Sequence, residues 1–252
     1  MKKPGEKHGE KQRLDRLLIE RALVPSREIA QSLIIRGDVL VDDFPITKAG
    51  QAISIDAEIR IRGELPKYVS RGGDKLEGAL RHFSLNVQDL IVIDLGASTG
   101  GFSDCLLQHG AKRIYAVDVG TAQLAQKLRS DPRVVVMEQF HAKDLTTELF
   151  PKLPSLAVID VSFIALKRVL PFVEKILDSP WTILALVKPQ FELESAAISK
   201  GGIVVDESDQ LRAVESVLEF ADARRWNSKG YSKSDLKGAK SGNQEYFVLF
   251  RS

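Results

Sequence analysis

Two patterns of hydrophobic and polar positions follow one another along the chain. In the first part, apolar residues at helical spacing predict one helix over residues 14–18 and, after a break at Pro25, a second helix that ends at Gly37. Alternating apolar and polar residues in 39–41 and 53–61 predict short strands. Two helices and a little sheet make one compact α+β module of roughly 60 residues.

From residue 71 onward, apolar segments alternate with amphipathic ones, which is typical of a parallel sheet covered by helices on both faces. The predicted strands are residues 90–95, 113–117, 133–137, 156–159, 181–187 and 246–250. The predicted fold class is therefore α/β, with a Rossmann-like domain. We expect a flexible basic tail (1–12), the small module (13–62), a linker (63–70) and the α/β domain (71–252).

The composition is that of a folded globular protein, with 44% hydrophobic and 28% charged residues among 252. The longest apolar run, residues 181–187, is far shorter than the roughly 18 residues that span a bilayer, and the amino-terminal segment is charged. A single cysteine, Cys105, cannot form an internal disulfide, and the four histidines show no metal-ligand spacing. We therefore expect a cytoplasmic protein without metal or membrane insertion, present as a monomer or weak homo-oligomer.

Basic and acidic residues nearly balance, since the formal net charge is +2, so any nucleic-acid site must come from local clusters. One cluster lies near the carboxyl end, where Trp226 and Tyr231 are interleaved with Arg224, Arg225, Lys229, Lys233, Lys237 and Lys240. This mixture suits a phosphate backbone with stacked bases, but a solvated basic face explains it equally well. In the first module, Arg13, Arg27 and Arg36 could bind RNA phosphates if they share one face.

A glycine-rich turn follows the first strand of the α/β domain. Glycine lets a backbone approach a ligand closely, and Asp118, 22 residues after Gly96 at the end of the next strand, can accept hydrogen bonds from ribose hydroxyls. The turn lacks the G-x-G-x-x-G spacing of dinucleotide sites, and Asp94 favours a cationic ligand such as S-adenosylmethionine. A purely structural glycine turn is the alternative. The candidate cofactor-binding residues here are Asp94, Gly96, Ala97, Ser98, Thr99, Gly100, Gly101, Phe102 and Asp118.

Six motifs occur in order along the chain. They are SRGGDKL (70–76), DLGASTGGF (94–102), DVSFI (160–164), LVKPQFE (186–192), KGGIV (200–204) and GNQE (242–245). Together they resemble the motifs of the TlyA-type, FtsJ-like RNA methyltransferases, a family whose members also carry the name haemolysin. The segments RLD (13–15), SREIA (26–30) and IIRGDV (34–39) make residues 13–62 similar to the RNA-binding domain named after ribosomal protein S-four. The resemblance covers nearly the whole chain.

The resemblance implies a class I, S-adenosylmethionine-dependent methyltransferase domain with a catalytic set of Lys75, Asp160, Lys188 and Glu245. The sequence agrees with this set, because Asp160 and Lys188 each follow an apolar strand, where open α/β sheets form their ligand crevice. We assign Lys188 as the leading base and Lys75 as its assistant, with the two acids orienting the ammonium groups and the hydroxyl. By resemblance Asp144 contacts the adenine, although a helix-capping role accounts for it equally well.

Two departures from the family pattern bear on activity. Asp74 places a negative charge beside Lys75, at a position where we expect an apolar or aromatic residue. The loop 234–245 lacks the prolines expected there and is one residue longer, which bears on the placement of Glu245. Both departures concern activity more than fold.

The expected function is methylation of a ribose 2′-hydroxyl in RNA, with ribosomal RNA as the implied substrate. A first alternative is a non-catalytic RNA-binding or ribosome-assembly factor that has the methyltransferase fold but does not catalyse methyl transfer. A second alternative is a haemolysin, although lysis needs an exposed apolar helix that the hydropathy does not indicate.

Overall fold

The computed structural model of the protein describes residues 10–24, 26–194, 198–199, 201–238 and 242–252. The chain divides into two compact units, Met1–Val69 and Ser70–Ser252. None of the helices in the described ranges has the length and apolar character that crossing a bilayer requires.

The first unit packs two helices against short strands. Apolar residues from both helices, among them Leu14 and Leu33, are fully buried in one core. Ser26 caps the second helix by accepting a hydrogen bond from the Ile29 amide, and Gly37 ends it with φ of 77°. The elements are β1 (Lys11–Arg13), α1 (Leu14–Glu20), α2 (Arg27–Arg36), β2 (Val39–Val41), β3 (Phe44–Pro45), β4 (Ala52–Ser54) and β5 (Ile59–Ile61). β1 pairs with β4, and β2 lies between β3 and β5, all antiparallel.

Residues 11 and 12, assigned from the sequence to a flexible tail, belong to a strand. Lys11 and Gln12 in β1 pair with Ser54 and Ile53 in β4. The segment is polar, so its hydrophobic pattern contains no strand signal, and the pairing comes from the partner strand. Residues 1–9 of the predicted tail lie outside the described residues.

The second unit alternates strands and helices, as the hydrophobic pattern predicts. In chain order its elements are α3 (Arg71–His82), β6 (Ile91–Leu95), α4 (Gly101–Gln108), β7 (Arg113–Asp118), α5 (Gln126–Arg129), β8 (Val134–Glu138), β9 (Leu156–Ile159), α6 (Leu166–Glu174), β10 (Thr182–Val187), α7 (Pro189–Glu192), α8 (Glu207–Ala223), β11 (Asn227–Lys233) and β12 (Tyr246–Arg251). Two short 3-10 turns, Ala142–Asp144 and Thr147–Leu149, follow β8. The predicted α/β class is confirmed.

Seven strands in the described part of this unit form one sheet in the order β11-β12-β10-β9-β6-β7-β8. The strands from β10 to β8 are parallel, whereas β12 runs antiparallel to both of its neighbours. The expectation of a wholly parallel sheet is therefore wrong at this edge. The sequence pattern also does not predict β11, because this edge strand is mostly polar, with side chains that face solvent and need no apolar alternation.

Trp226, interpreted from the sequence as part of an RNA-binding cluster, is a core residue that is only 5% exposed. Its ring centroid lies 5.2 Å from that of Trp181 and 5.8 Å from that of Phe250. Its indole N–H donates a hydrogen bond to Glu174 at 2.8 Å, which satisfies the polar end of the ring. The ring is therefore unavailable for stacking on a base.

We predict that Trp226→Ala lowers the free energy of unfolding by about 3–5 kcal/mol, because it leaves a large cavity in the core. Urea unfolding followed by circular dichroism measures this change. Tyr231→Ala is the control, since this ring is 44% exposed and its loss should cost no more than about 1 kcal/mol. Equal stability of Trp226→Ala and the wild type would contradict the core assignment.

Candidate active site

The carboxyl ends of β6, β7 and β9 open onto a cleft of about 790 Å³, a size typical of small-molecule sites. Its walls combine apolar side chains, such as Phe140 and Phe172, with the carboxylates of Asp118 and Asp160. Open α/β sheets bind their ligands at this edge, so the cleft is the candidate cofactor site.

Gly96 allows the end of β6 to approach the end of β9 closely. Its φ is 89°, and a Cβ atom at this position would lie 2.4 Å from the carbonyl oxygen of Asp160. The conformational freedom of this glycine therefore serves the protein's own backbone, whereas the motif suggested an approach to the ligand. A larger residue would displace the Asp160 loop and thereby distort the site.

The rest of the glycine-rich turn mainly supports the cleft from behind. Of the predicted cofactor residues on and after this turn, Gly96, Ser98 and Asp118 line the cleft. Gly101 packs α4 tightly against α3, because a Cβ atom there would lie 2.9 Å from the amide nitrogen of Gly73. Ala97, Gly100, Gly101 and Phe102 are buried and Thr99 is exposed, all outside the described lining of the cleft.

Asp118 ends β7 and borders the cleft with both oxygens held by backbone amides. Oδ2 accepts a hydrogen bond from the Ser98 amide at 2.8 Å, and Oδ1 accepts one from the Gly120 amide at 2.7 Å. A carboxylate has about four acceptor positions, so positions remain for ribose hydroxyls. This geometry fits the predicted contact with a nucleoside ribose.

Asp94 is a buried acid behind the cleft. Its Oδ2 accepts a hydrogen bond from the Ser103 hydroxyl at 2.6 Å, while Oδ1 is buried without a hydrogen-bond partner among the described residues. Burial, with smaller contributions from the charges of Asp160 and Asp118, raises the pKa of Asp94 to about 7 against the opposing hydrogen bonds from Ser103. The carboxylates of Asp118 and Asp160 border the cleft, where negative charge repels an anion and favours a cation, so the residues fit S-adenosylmethionine better than a pyrophosphate.

Asp144, predicted to contact adenine, is exposed at the end of the 3-10 turn Ala142–Asp144. Its neighbours His141, Ala142 and Lys143 line the cleft, whereas Asp144 lies outside the described lining. The contact with adenine stays a prediction.

Lys188 follows β10 and contacts the loop after β9. Its Nζ lies 2.7 Å from Oδ1 of Asp160 and donates a hydrogen bond to Oγ of Ser162 at 2.8 Å. Asp160 and Ser162 both line the cleft, so Nζ of Lys188 lies beside the rim. The structure thus brings together two of the four predicted catalytic residues. It also adds the Ser162 hydroxyl, which lay within a recognised motif without an assigned role.

Lys75 and Glu245 form a second ion pair, which is buried, with 2.5 Å between Nζ and Oε2. Glu245 precedes Tyr246, the register partner of Val187, and Lys188 follows Val187. Glu245 therefore lies across from Lys188 at the same edge of the sheet. A smaller polar cavity of about 180 Å³ opens onto Lys75 between α3 and β11. The four predicted catalytic residues accordingly form two lysine–carboxylate pairs.

Asp74, the departure beside Lys75, lies in the first turn of α3, where a negative charge interacts favourably with the helix dipole. Its side chain is exposed, whereas Lys75 is buried and pairs with Glu245. The structure therefore gives Asp74 a local role in the helix and a different environment from that of Lys75.

Two amide side chains hold the segment before β12, a role that the sequence analysis missed. Asn243 donates a hydrogen bond to the Gly202 carbonyl at 2.7 Å and accepts one from the Val204 amide at 2.9 Å. Gln244 donates a hydrogen bond to the carbonyl of Ser234, the residue just after β11, at 3.0 Å. These contacts join the GNQE and KGGIV motifs, and they fix the backbone that carries Glu245. Asn243 and Gln244 differ from ordinary surface amides in being buried, and a single sequence does not show which amide side chains are buried.

In the first unit, Arg13 and Arg27 converge on the buried carboxylate of Asp15, at 2.9 Å and 3.0 Å. Hydrogen bonding from Arg13, above all, holds the pKa of Asp15 well below its usual range. Arg36 forms a separate pair with Asp38. Arg13 and Arg27 therefore share one face, which composition alone could not indicate, and their contact with RNA stays a prediction.

Ion pairs engage part of the predicted basic cluster in residues 224–240. Arg224 pairs with Glu174, and Nζ of Lys233 lies 3.7 Å from Glu207. Lys229, Tyr231 and Lys233 are exposed positions of β11, and the pairing of this strand with β12 shifts register between Ser228 and Tyr231. Arg225 and Lys237 are exposed, and Lys240 lies outside the described residues. An RNA surface here stays a prediction.

The strand order, the cleft and its acidic surroundings define the molecule as an enzyme of the Rossmann-like methyltransferase class. Residues 68–252 match the family model described as FtsJ-like methyltransferase. The chain belongs to the FtsJ-like methyltransferase family. The predicted family is therefore confirmed, and S-adenosylmethionine is the methyl donor that the sequence predicts and the family implies.

Similarity to individual proteins extends beyond this domain. YqxC of Bacillus subtilis, named provisionally as an rRNA methyltransferase, is 45% identical over 94% of this chain and 85% of its own length. The 16S/23S rRNA (cytidine-2'-O)-methyltransferase TlyA of Mycobacterium tuberculosis (strain CDC 1551 / Oshkosh) is 41% identical over 95% of this chain and 90% of its own. A solved structure described as a hemolysin from Streptococcus thermophilus has a TM-score of 0.75 and 43% identity, covering 96% of this chain and 88% of that one.

We predict that Asp118→Ala weakens binding of S-adenosylhomocysteine, the demethylated cofactor, by about ten- to a hundredfold, because it removes a charged hydrogen-bond acceptor from the cleft. Isothermal calorimetry measures the Kd. Glu219→Ala, which removes an exposed carboxylate on α8, is the control and should leave the Kd unchanged. Equal Kd values for Asp118→Ala and the wild type would exclude the ribose contact.

Asp94 should make the free energy of unfolding fall as pH rises from about 4 to about 7. In this window the unfolded chain has lost the Asp94 proton while the folded protein keeps it, so rising pH favours the unfolded state. Asp94→Asn keeps the side-chain shape and an acceptor for Ser103, and it should flatten this part of the profile. Urea unfolding across the window measures the difference, and identical profiles for variant and wild type would show that Asp94 ionises normally.

Proposed function

We propose that this protein transfers a methyl group from S-adenosylmethionine to a ribose 2′-hydroxyl of ribosomal RNA. The observation that carries the proposal is the contact of Lys188 with Asp160 and Ser162 at the rim of an acidic nucleoside-sized cleft. The name of the TlyA relative, which specifies the cytidine 2'-O position of 16S/23S rRNA, supports the substrate.

The cleft residues divide the binding of S-adenosylmethionine among them. Asp118 accepts hydrogen bonds from the ribose hydroxyls of the cofactor, while the carboxylate of Asp160 offsets its positive charge. The apolar side chains Phe140 and Phe172 exclude water from the cleft. When bound, the cofactor supplies a methyl group activated by a sulfonium, and it leaves as a neutral thioether.

The protein must align the ribose hydroxyl and accept its proton. Nζ of Lys188 lies where it can accept the hydroxyl proton, and the bound cofactor would supply the methyl group that the ribose oxygen receives. Asp160 and Ser162 fix the direction of Nζ. The buried pair of Lys75 and Glu245 holds a second positive charge near the negative charge that develops on the oxygen.

Exposed residues favour a polynucleotide over a small-molecule substrate. Phe163 lines the cleft rim, is 90% exposed and has φ of 65°, a backbone conformation that a bulky residue rarely adopts. An exposed ring beside the reacting groups can stack on a nucleobase. Arg13, Arg27 and Arg36 make the first unit a suitable S-four-like RNA-binding domain. We expect the protein to act on ribosomal RNA in the cytoplasm, as a monomer or weak homo-oligomer.

A role restricted to RNA binding would leave the two lysine–carboxylate pairs without a purpose. Burying a charged pair such as Lys75 and Glu245 costs desolvation energy that packed apolar residues would avoid. The arrangement is therefore better explained by chemistry at the cleft than by the fold alone.

Lys188→Ala should lower the rate of methyl transfer by at least about a hundredfold, the low end of what a positioned base contributes. Cofactor affinity should be retained, because Lys188 lies outside the described lining of the cleft. The assay is transfer of labelled methyl groups to ribosomal subunits, with calorimetry for the cofactor. Lys152→Ala, an exposed lysine, is the control. Near-normal turnover of Lys188→Ala would eliminate this base and direct attention to Lys75.

Arg36→Ala should weaken RNA binding and reduce the slope of log affinity against log salt by about 0.7, the value for one phosphate contact with a single strand. Arg36 is the best probe in the first unit, because its partner Asp38 is partly exposed, whereas Arg13 and Arg27 stabilise a buried acid. Filter binding across a salt series measures the slope. Arg60→Ala is the matched control, and equal changes in both variants would indicate a general charge effect in place of a defined contact.

A further inference from the structure

Glu192 caps a helix that belongs to a different part of the chain. Its Oε1 accepts a hydrogen bond from the amide of Leu166, the first residue of α6, at 2.7 Å. The N-cap residue of α6 is Ala165, whose side chain has no hydrogen-bonding group. The carboxylate of Glu192 therefore satisfies an amide at the positive end of the α6 dipole.

The position of this contact relates it to the reacting groups. Glu192 lies one helical turn after Lys188, because Lys188 is the N-cap of α7 and Glu192 is its last residue. Leu166 immediately follows the loop that carries Asp160 and Ser162. The same two segments thus meet twice, once through Lys188 at the cleft rim and once through Glu192 behind it.

The environment of Glu192 is unfavourable for a carboxylate whose only role is to fill space. Oε2 is buried without a hydrogen-bond partner among the described residues. Burial raises the pKa of Glu192, while the Leu166 amide and the charge of Lys167 oppose that shift. An acid with one unsatisfied buried oxygen costs stability, so packing alone does not account for Glu192 at this position.

We propose that Glu192 is a positioning residue for methyl transfer, which holds the Asp160–Ser162 loop in register with Lys188. The inference rests on the proposed function, because it assigns Glu192 to the geometry of that reaction. Two sets of contacts join the segments, one from Lys188 to Asp160 and Ser162 and one from Glu192 to the Leu166 amide. Together they keep Nζ of Lys188 in one direction relative to the cleft. Without the second tie, the loop can shift at its side of the cleft while Asp118 and its proposed ribose contact at the end of β7 stay in place. A misplacement of about 1 Å is enough to lower a rate by about a hundredfold.

Two variants of Glu192 test this role in the full-length protein. Glu192→Ala removes the acceptor, and we expect kcat for methyl transfer to ribosomal subunits to fall about ten- to a hundredfold while the Kd for S-adenosylhomocysteine changes less than about twofold. Glu192→Gln retains an oxygen that accepts the Leu166 hydrogen bond, and it should restore most of kcat. Hydrogen exchange should show faster exchange across residues 160–166 in Glu192→Ala and near-normal exchange in Glu192→Gln.

Glu174→Ala is the matched control, because Glu174 also joins separate elements, through Trp226 and Arg224, but lies away from the cleft. It should lower stability with kcat unchanged. A kcat for Glu192→Ala equal to that of Glu174→Ala, or an equal loss of S-adenosylhomocysteine affinity and kcat, would overturn the positioning role while the proposed function stands. Failure of Glu192→Gln to restore kcat when its exchange is normal would also overturn it. Absence of methyl transfer by the wild type would instead defeat the proposed function, and the inference with it.

Discussion

The antiparallel pairing of β12 with β10 is the constraint on which the site depends. Its register sets Tyr246 against Val187, so the residue before β12 and the residue after β10 meet at one edge of the sheet. Those residues are Glu245 and Lys188, and Glu245 brings Lys75 to the same edge through a buried ion pair. A parallel seventh strand would deliver its carboxyl end there and would leave Glu245 at the opposite edge.

The same edge determines the charge of the cleft. The turn after β6 approaches the end of β9 closely. At Gly96 there is no room for a side chain, because a Cβ atom would collide with the Asp160 carbonyl. Asp118 and Asp160 consequently border one cleft, with Asp94 buried behind it. Burial is the main cause of the raised pKa of Asp94, and the negative charges of Asp160 and Asp118 add to it. A ligand that carries positive charge relieves this repulsion, whereas a phosphate would increase it. Cofactor choice therefore follows from the backbone approach at Gly96 as well as from the identity of the acids.

Apolar periodicity predicted the buried strands and the α/β class, because strands covered on both faces must be apolar along their length. The same reasoning could not predict β11 or β1, whose polar residues pair through their backbones at an edge. Family resemblance indicated Lys188 and Glu245, but Ser162 and Glu192 acquire roles only from contacts between segments distant in sequence. For Trp226 the sequence interpretation was wrong in the opposite direction. Its basic neighbours suggested an exposed ring that stacks on RNA, whereas the ring is buried against Trp181 and Phe250.

The position of the transferred methyl group tests the central claim most directly. Ribosomal subunits would be incubated with the wild-type protein and isotope-labelled S-adenosylmethionine, and the RNA would then be digested to nucleosides for mass spectrometry. Our account predicts a labelled nucleoside in which the methyl group is on the ribose 2′ oxygen, because the proposed base Lys188 contacts Asp160 at the rim of the cleft. Label on a base, or no label in the RNA, would contradict it.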